Sequence, residues 1–180
     1  MYKLFGILGF ALGWTAISLL LFLWDTDKSK SISHNAASNK KAYIMMAVLE
    51  TIGLPLFIIF VIKWMTPTLG LIPLFSILSV AIAVGLIVAS WIPVTGPKGK
   101  IHDFCAYGAG LLFIPTTLIL ALSSGVSTPA RIINIVACLG LSAVTALFLM
   151  GKTNQNHHLY YQTASILMFD IAILSAAYIR

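Results

Sequence analysis

Charge is what this 180-residue chain has least of: only 9% of its residues are Asp, Glu, Lys or Arg, and five of those are acids. Soluble domains carry roughly 25% charged residues, so a water-soluble globule and a disordered polyelectrolyte are both excluded. Cysteine is scarcer still. The two thiols, Cys105 and Cys138, make no disulfide framework and read as small packing residues. Several active-site spacings are also missing: there is no Gly-x-Ser-x-Gly elbow, no Walker-type glycine loop, no His-Glu-x-x-His and no His-x3-His pair.

What the chain does have is apolar surface, at 59% hydrophobic residues and a mean hydropathy of +0.99. A bilayer core about 30 Å thick needs roughly 20 mostly apolar residues per helix. Six such stretches can be drawn, at about 4–24, 42–65, 69–92, 101–122, 130–150 and 158–179. The expected fold is therefore all-α, a six-helix transmembrane bundle forming one domain over residues 1–180. The longest connection, Asp25 to Lys41, is about 17 residues, too short for an extramembrane domain. The first stretch has only Lys3 ahead of it and no small-x-small site directly after it, so it reads as a retained helix rather than a signal peptide.

Eleven basic residues against five acids give a net charge of +6. In a membrane chain such residues set orientation, and no nucleic-acid partner is expected. Seven of them (Lys28, Lys30, Lys40, Lys41, Lys98, Lys100 and Lys152) fall in the odd-numbered connections, and four (Lys3, Lys63, Arg131 and Arg180) on the opposite side. The positive-inside tendency then places the odd connections in the cytoplasm and both termini outside.

Small residues should mark helix contacts in lipid, where close packing replaces the hydrophobic drive. Gly9 and Gly13, with Gly6 just off their face, fit this in the first span, as do Ala81, Gly85 and Ala89 in the third and Ala106 and Gly110 in the fourth. Asn134, Cys138, Ser142 and Thr145 form a weakly polar stripe expected to face the bundle interior. Pro55, Pro73 and Pro115 are expected to bend or break their helices.

The ionisable side chains are distributed unevenly. Asp25, Asp27, His34, Glu50, His102, Asp103, His157, His158 and Asp170 all lie in or toward the odd connections, and the other rim has no acid and no histidine. Glu50 and Asp170 are the two acids the spans bury, about 12 Å and about 18 Å below the odd-side starts of their helices at 1.5 Å per residue. A carboxyl group in hydrocarbon must be neutralised, paired or watered, and no lysine or arginine lies deep in any span. At least one of the pair is expected to be neutral, unless a water-filled cavity reaches both. Tyr43, Met46 and Glu50 share one helical face, and Thr163, Asp170 and more loosely Gln162 share another. The expected site is a one-sided polar pocket near Glu50, His102, Asp103, Tyr160 and Asp170, entered from the odd side.

Zinc is the alternative, since it takes three or four ligands from His, Cys, Asp or Glu. The candidate set is His102, His157, His158 and Asp170. Adjacent histidines diverge by about 100° on a helix, so only one of His157 and His158 can point inward, and no cofactor is the favoured reading.

The segment from Trp91 to Tyr107 (Trp-Ile-Pro-Val-Thr-Gly-Pro-Lys-Gly-Lys-Ile-His-Asp-Phe-Cys-Ala-Tyr) closes one helix on a proline and opens the next with a histidine. It resembles a group of uncharacterised six-helix bacterial and archaeal membrane proteins distantly similar to the damage-regulated autophagy modulators. Pro93 and His102 match that pattern, and Gly99 does so more loosely. Ile92 stands where the family has an aromatic residue, and no acid directly follows Pro93. The resemblance implies a bacterial or archaeal cell membrane and attention to the His102 rim, and it implies no particular activity. The expected function is non-catalytic binding of a lipid or small molecule. A metal-dependent lipid hydrolase and a small proton-coupled carrier using Glu50 and Asp170 are the alternatives. The expected partners are membrane lipids and that ligand, with room for a homo-oligomer.

Overall fold

The computed structural model describes residues 1–151 and 157–179. Lys152 and Arg180, both used in the charge count above, lie outside the described residues.

Among the described residues there is no strand. Six helices are long and apolar enough to cross a membrane: α1 (Tyr2–Leu23), α3 (Lys40–Thr68), α4 (Pro73–Trp91), α5 (Gly99–Leu122), α6 (Thr128–Leu149) and α7 (His158–Tyr178). The chain is an integral, multi-pass helix-bundle membrane protein. The expected spans hold with two adjustments. The second runs on to Thr68 through a π-helical turn at Val61–Met65, which sits directly before Pro67 and relieves the clash of its ring with the preceding turn. The third starts at Pro73, where a missing N–H costs nothing at the first helical position, so this proline opens a helix instead of bending one. Gly70, at φ +57°, supplies the left-handed turn between them. Pro55 and Pro115 lie inside α3 and α5, which continue through them.

A short helix not expected from the sequence, α2 (Ile32–Ala37), lies in the first connection. Ser31 caps it, its Oγ accepting from the His34 N–H at 3.2 Å. Asn39 caps α3, accepting from the N–H of Lys41 at 2.9 Å. Each leaves helical geometry and satisfies an orphan donor. Buried Asn35 knits the loop together: its Oδ1 accepts from the Asp27 N–H at 2.7 Å, and its Nδ2 donates to the carbonyls of Asp27 and Ser31, both at 3.0 Å. The exposed Asp27 carboxyl accepts from the Oγ and N–H of Ser29, which holds its pKa below the usual value; burial opposes this slightly, and Lys30 adds a smaller push downward. The loop docks on α7 through the Leu159 N–H donating to the Lys28 carbonyl at 3.1 Å and the Ile32 N–H donating to Gln162 Oε1 at 2.8 Å.

The spans pack in series, α1 on α3, α3 on α4, α4 on α5, α5 on α6 and α6 on α7, with α5 also touching α7. Small residues set the closest approaches. A Cβ on Gly9 would lie 2.8 Å from the Gly53 carbonyl oxygen, and one on Gly85 3.1 Å from that of Cys105. Gly6 abuts the Phe60 ring, whereas Gly13 and Gly110 face open space, so the α1–α3 contact uses Gly9 with Gly6 and not Gly13. Asn134, buried in the α6–α7 interface, donates to the carbonyl oxygens of Ala130 at 2.8 Å and Ala172 at 3.2 Å. Both cysteines are free.

The two ends of the series, α1 and α7, are bridged by hydrogen bonds. Trp14 Nε1 donates to Asp170 Oδ2 at 2.8 Å, and Tyr178 Oη donates to the Lys3 carbonyl at 2.7 Å. The Lys3 ammonium lies 4.3 Å from the Tyr178 ring centre and 5.1 Å from that of Trp64, a cation–π arrangement that closes the even side. Across mid-bundle, Phe113 stacks on Phe169 with ring centres 4.1 Å apart, and Phe57 meets Phe169 edge-on at 6.4 Å. These rings form an aromatic layer across mid-bundle.

Candidate functional site: a one-sided cavity

Above that layer the bundle holds a half-open cavity of about 620 Å³, roofed by α2 and walled by α3, α4, α5, α6 and α7, with Ile17 of α1 also touching it. Its position follows from the sequence. Gly110, Ala106 and Ala89 leave space that larger residues would fill, and Phe113, Leu141 and Ile166 form the apolar interior. Polar groups gather at the mouth, including Ser31, His34, Asp103, His158 and Gln162.

Glu50 reaches the cavity from α3, about 15 Å below Lys40 at 1.5 Å rise per residue. Tyr43 and Met46 line it from the same helix, two turns and one turn nearer the mouth respectively, as their spacing predicts. The Glu50 carboxyl is partly buried and makes no hydrogen bond or ion pair with any described residue.

His102 is buried at the start of α5. Its Nδ1 lies 2.8 Å from the carbonyl oxygens of both Ala89 and Ile92. Carbonyls only accept, so Nδ1 carries the proton. The imidazole thereby caps the end of α4, where Pro93 has no N–H to offer. It serves the end of the third span and not the start of the fourth, and its Nε2 is left for the cavity. Replacing His102 with leucine would leave those two carbonyls without this donor. The expected loss is about 1–2 kcal/mol of stability, read as a lower unfolding midpoint in detergent; an unchanged midpoint would mean the cap is dispensable.

Asp103 lines the mouth beside Tyr107, one turn further along α5. The other expected members are placed elsewhere. Asp170 is buried against Trp14 and does not line the cavity, so it shares no site with Glu50. Its partner is an indole from α1, too distant in sequence to be inferred from spacing. Tyr160 is exposed, its ring 5.8 Å from the Lys28 ammonium, and Tyr161 takes the wall position instead. The difference is one residue, or about 100° of helix.

Of the adjacent histidines, His158 lines the mouth and packs edge-on to Phe148 at 4.8 Å, while His157 is exposed. His34, expected only in a solvated loop, is at the rim, its Nδ1 2.7 Å from Ser31 Oγ. Among the described residues no three His, Cys, Asp or Glu side chains are disposed to hold one metal ion. In particular His102, His157, His158 and Asp170 do not converge. Gln162 does line the cavity and also anchors the α2 roof, whereas Thr163 bonds only to its own helix, at the Leu159 carbonyl. Of the polar stripe on α6, only Thr145 reaches the cavity.

A second hollow, a shallow groove of about 460 Å³ between α1 and α7, is lined by Ile7, Phe10, Ala11, Trp14, Leu174 and Tyr178. Apart from the tips of Trp14 and Tyr178, both engaged in hydrogen bonds, it offers no chemistry. The chain matches no family model, no curated protein and no solved structure in comparisons with each.

Proposed function

We propose that this membrane protein binds a small amphiphilic molecule in the odd-side cavity without transforming it. One observation carries the reading: a half-open cavity of about 620 Å³, in the range of sites for drug-sized ligands, is lined by a carboxyl group that has no hydrogen-bond or ion-pair partner among the described residues. A buried polar group is costly unless satisfied, and a ligand entering from the polar mouth would satisfy it. Among the described residues the hydrolase reading has no converging ligand set behind it, and the carrier reading loses its paired acids because Glu50 and Asp170 face different surroundings.

We further propose that the odd connections are cytoplasmic and both termini outside, on the bias of Lys28, Lys30, Lys40, Lys41, Lys98 and Lys100. The proposed bacterial or archaeal setting and six-helix family likeness are supported by chain length, span count and the Trp91–Tyr107 hairpin.

Gly110 gives a clean test. A Cβ there meets nothing within 4 Å and Gly110 lines the cavity, so a phenylalanine at this position is expected to fill part of that space. Wild-type protein extracted in mild detergent should carry a bound small molecule in native mass spectra, and Gly110→Phe should lose it while keeping its unfolding midpoint. Equal occupancy in both proteins would contradict the proposal.

A further inference from the structure

Building on the cavity reading above, we infer that the ligand is a hydrophobic amine, its nitrogen at Glu50 and its apolar body along the wall. Among the described residues the lining holds two carboxyl groups, Glu50 and Asp103, and neither lysine nor arginine. The basic residues of this side lie outside: Lys98 and Lys100 are exposed, and Lys30 pairs with Asp27 at 3.3 Å. An anionic group carried to the interior would meet an acid with no cation to offset it. An ammonium there supplies both hydrogen-bond donors and the opposite charge.

Depth separates this ligand from a membrane lipid. A lipid seated with its headgroup at the polar mouth would direct its hydrocarbon ends toward Glu50, about 15 Å in along α3, burying the carboxyl against a chain that cannot bond to it. A molecule whose leading end is the donor avoids that mismatch. Tyr43, Tyr107 and Tyr161 also line the cavity, and aromatic rings beside a bound cation favour it further. The competing arrangement is an anion held at the mouth by His34 and His158.

Three compounds of similar shape distinguish these cases: phenethylamine, phenethyl alcohol and hydrocinnamate, titrated by calorimetry into the purified full chain in an uncharged detergent at neutral pH. The amine is expected to bind about tenfold or more tighter than the alcohol, and the acid more weakly than both. Glu50→Gln should bring the amine down to the level of the alcohol and leave the alcohol unchanged. The wild-type series needs no variant to fold. Hydrocinnamate binding as tightly as the amine, or a preference for the amine that survives Glu50→Gln, would overturn the inference. Equal binding of amine and alcohol would overturn it while leaving the cavity reading intact. Failure of all three to bind would also overturn it, and the Gly110→Phe mass comparison then decides separately whether the cavity binds anything.

Discussion

Trp14→Phe is expected to cost about 3 kcal/mol of stability, the upper range for leaving a buried polar group without its partner. The change keeps an aromatic ring on α1 but removes the indole N–H that donates to Asp170 at 2.8 Å, together with the packing of the lost five-membered ring. Asp170 is only 8% exposed, and no other hydrogen bond to its carboxyl is present among the described residues. Water cannot replace the indole cheaply in the middle of a helix bundle. The double variant Trp14→Phe/Asp170→Leu should regain more than half of the loss, because removing both partners leaves nothing unsatisfied. Unfolding in mixed micelles measures all three proteins. A neutral Trp14→Phe would show that this bond does not join α1 to α7.

Gly9→Leu should be at least as damaging, about 3 kcal/mol or more by overpacking. Even a Cβ at this position would stand 2.8 Å from the Gly53 carbonyl and 3.2 Å from the Phe57 nitrogen, both backbone atoms with no rotamer to yield. The two helices would have to part, and α1 has few other neighbours to hold it. Gly13→Leu, one turn on at a position where nothing lies within 4 Å, is the matched control and should be nearly silent. Comparable losses at the two positions would mean that α1 and α3 do not meet at Gly9 and Gly53.

The six spans were legible because lipid demands continuous apolar length, and that demand is local. The Tyr43, Met46 and Glu50 face was legible for a similar reason, since helical spacing alone places them on one wall. Features that depend on distant partners were not. Asp170 looked like a companion to Glu50 by depth, and depth does not report azimuth; its indole partner lies 156 residues away in sequence. Tyr160 and Tyr161 differ by a quarter-turn that no composition argument resolves. The roof helix α2 is only six residues long, too short for periodicity to declare it, although Ser31 as an N-cap was a readable signal. His102 was singled out for its place in the hairpin, yet its capping of α4 required knowing that Ala89 and Ile92 present their carbonyls to it.

The central claim is that the odd half of the bundle is a binding cavity with Glu50 on its wall. An experimental density map of the protein purified from membranes tests it most directly, with Gly110→Phe as the comparison. The wild-type map should show density bounded by Tyr43, Glu50 and Gly110 that no side chain accounts for, and the Gly110→Phe map should lack it. Helices closed together over Glu50, with non-protein density confined to the outer surface, would contradict the account.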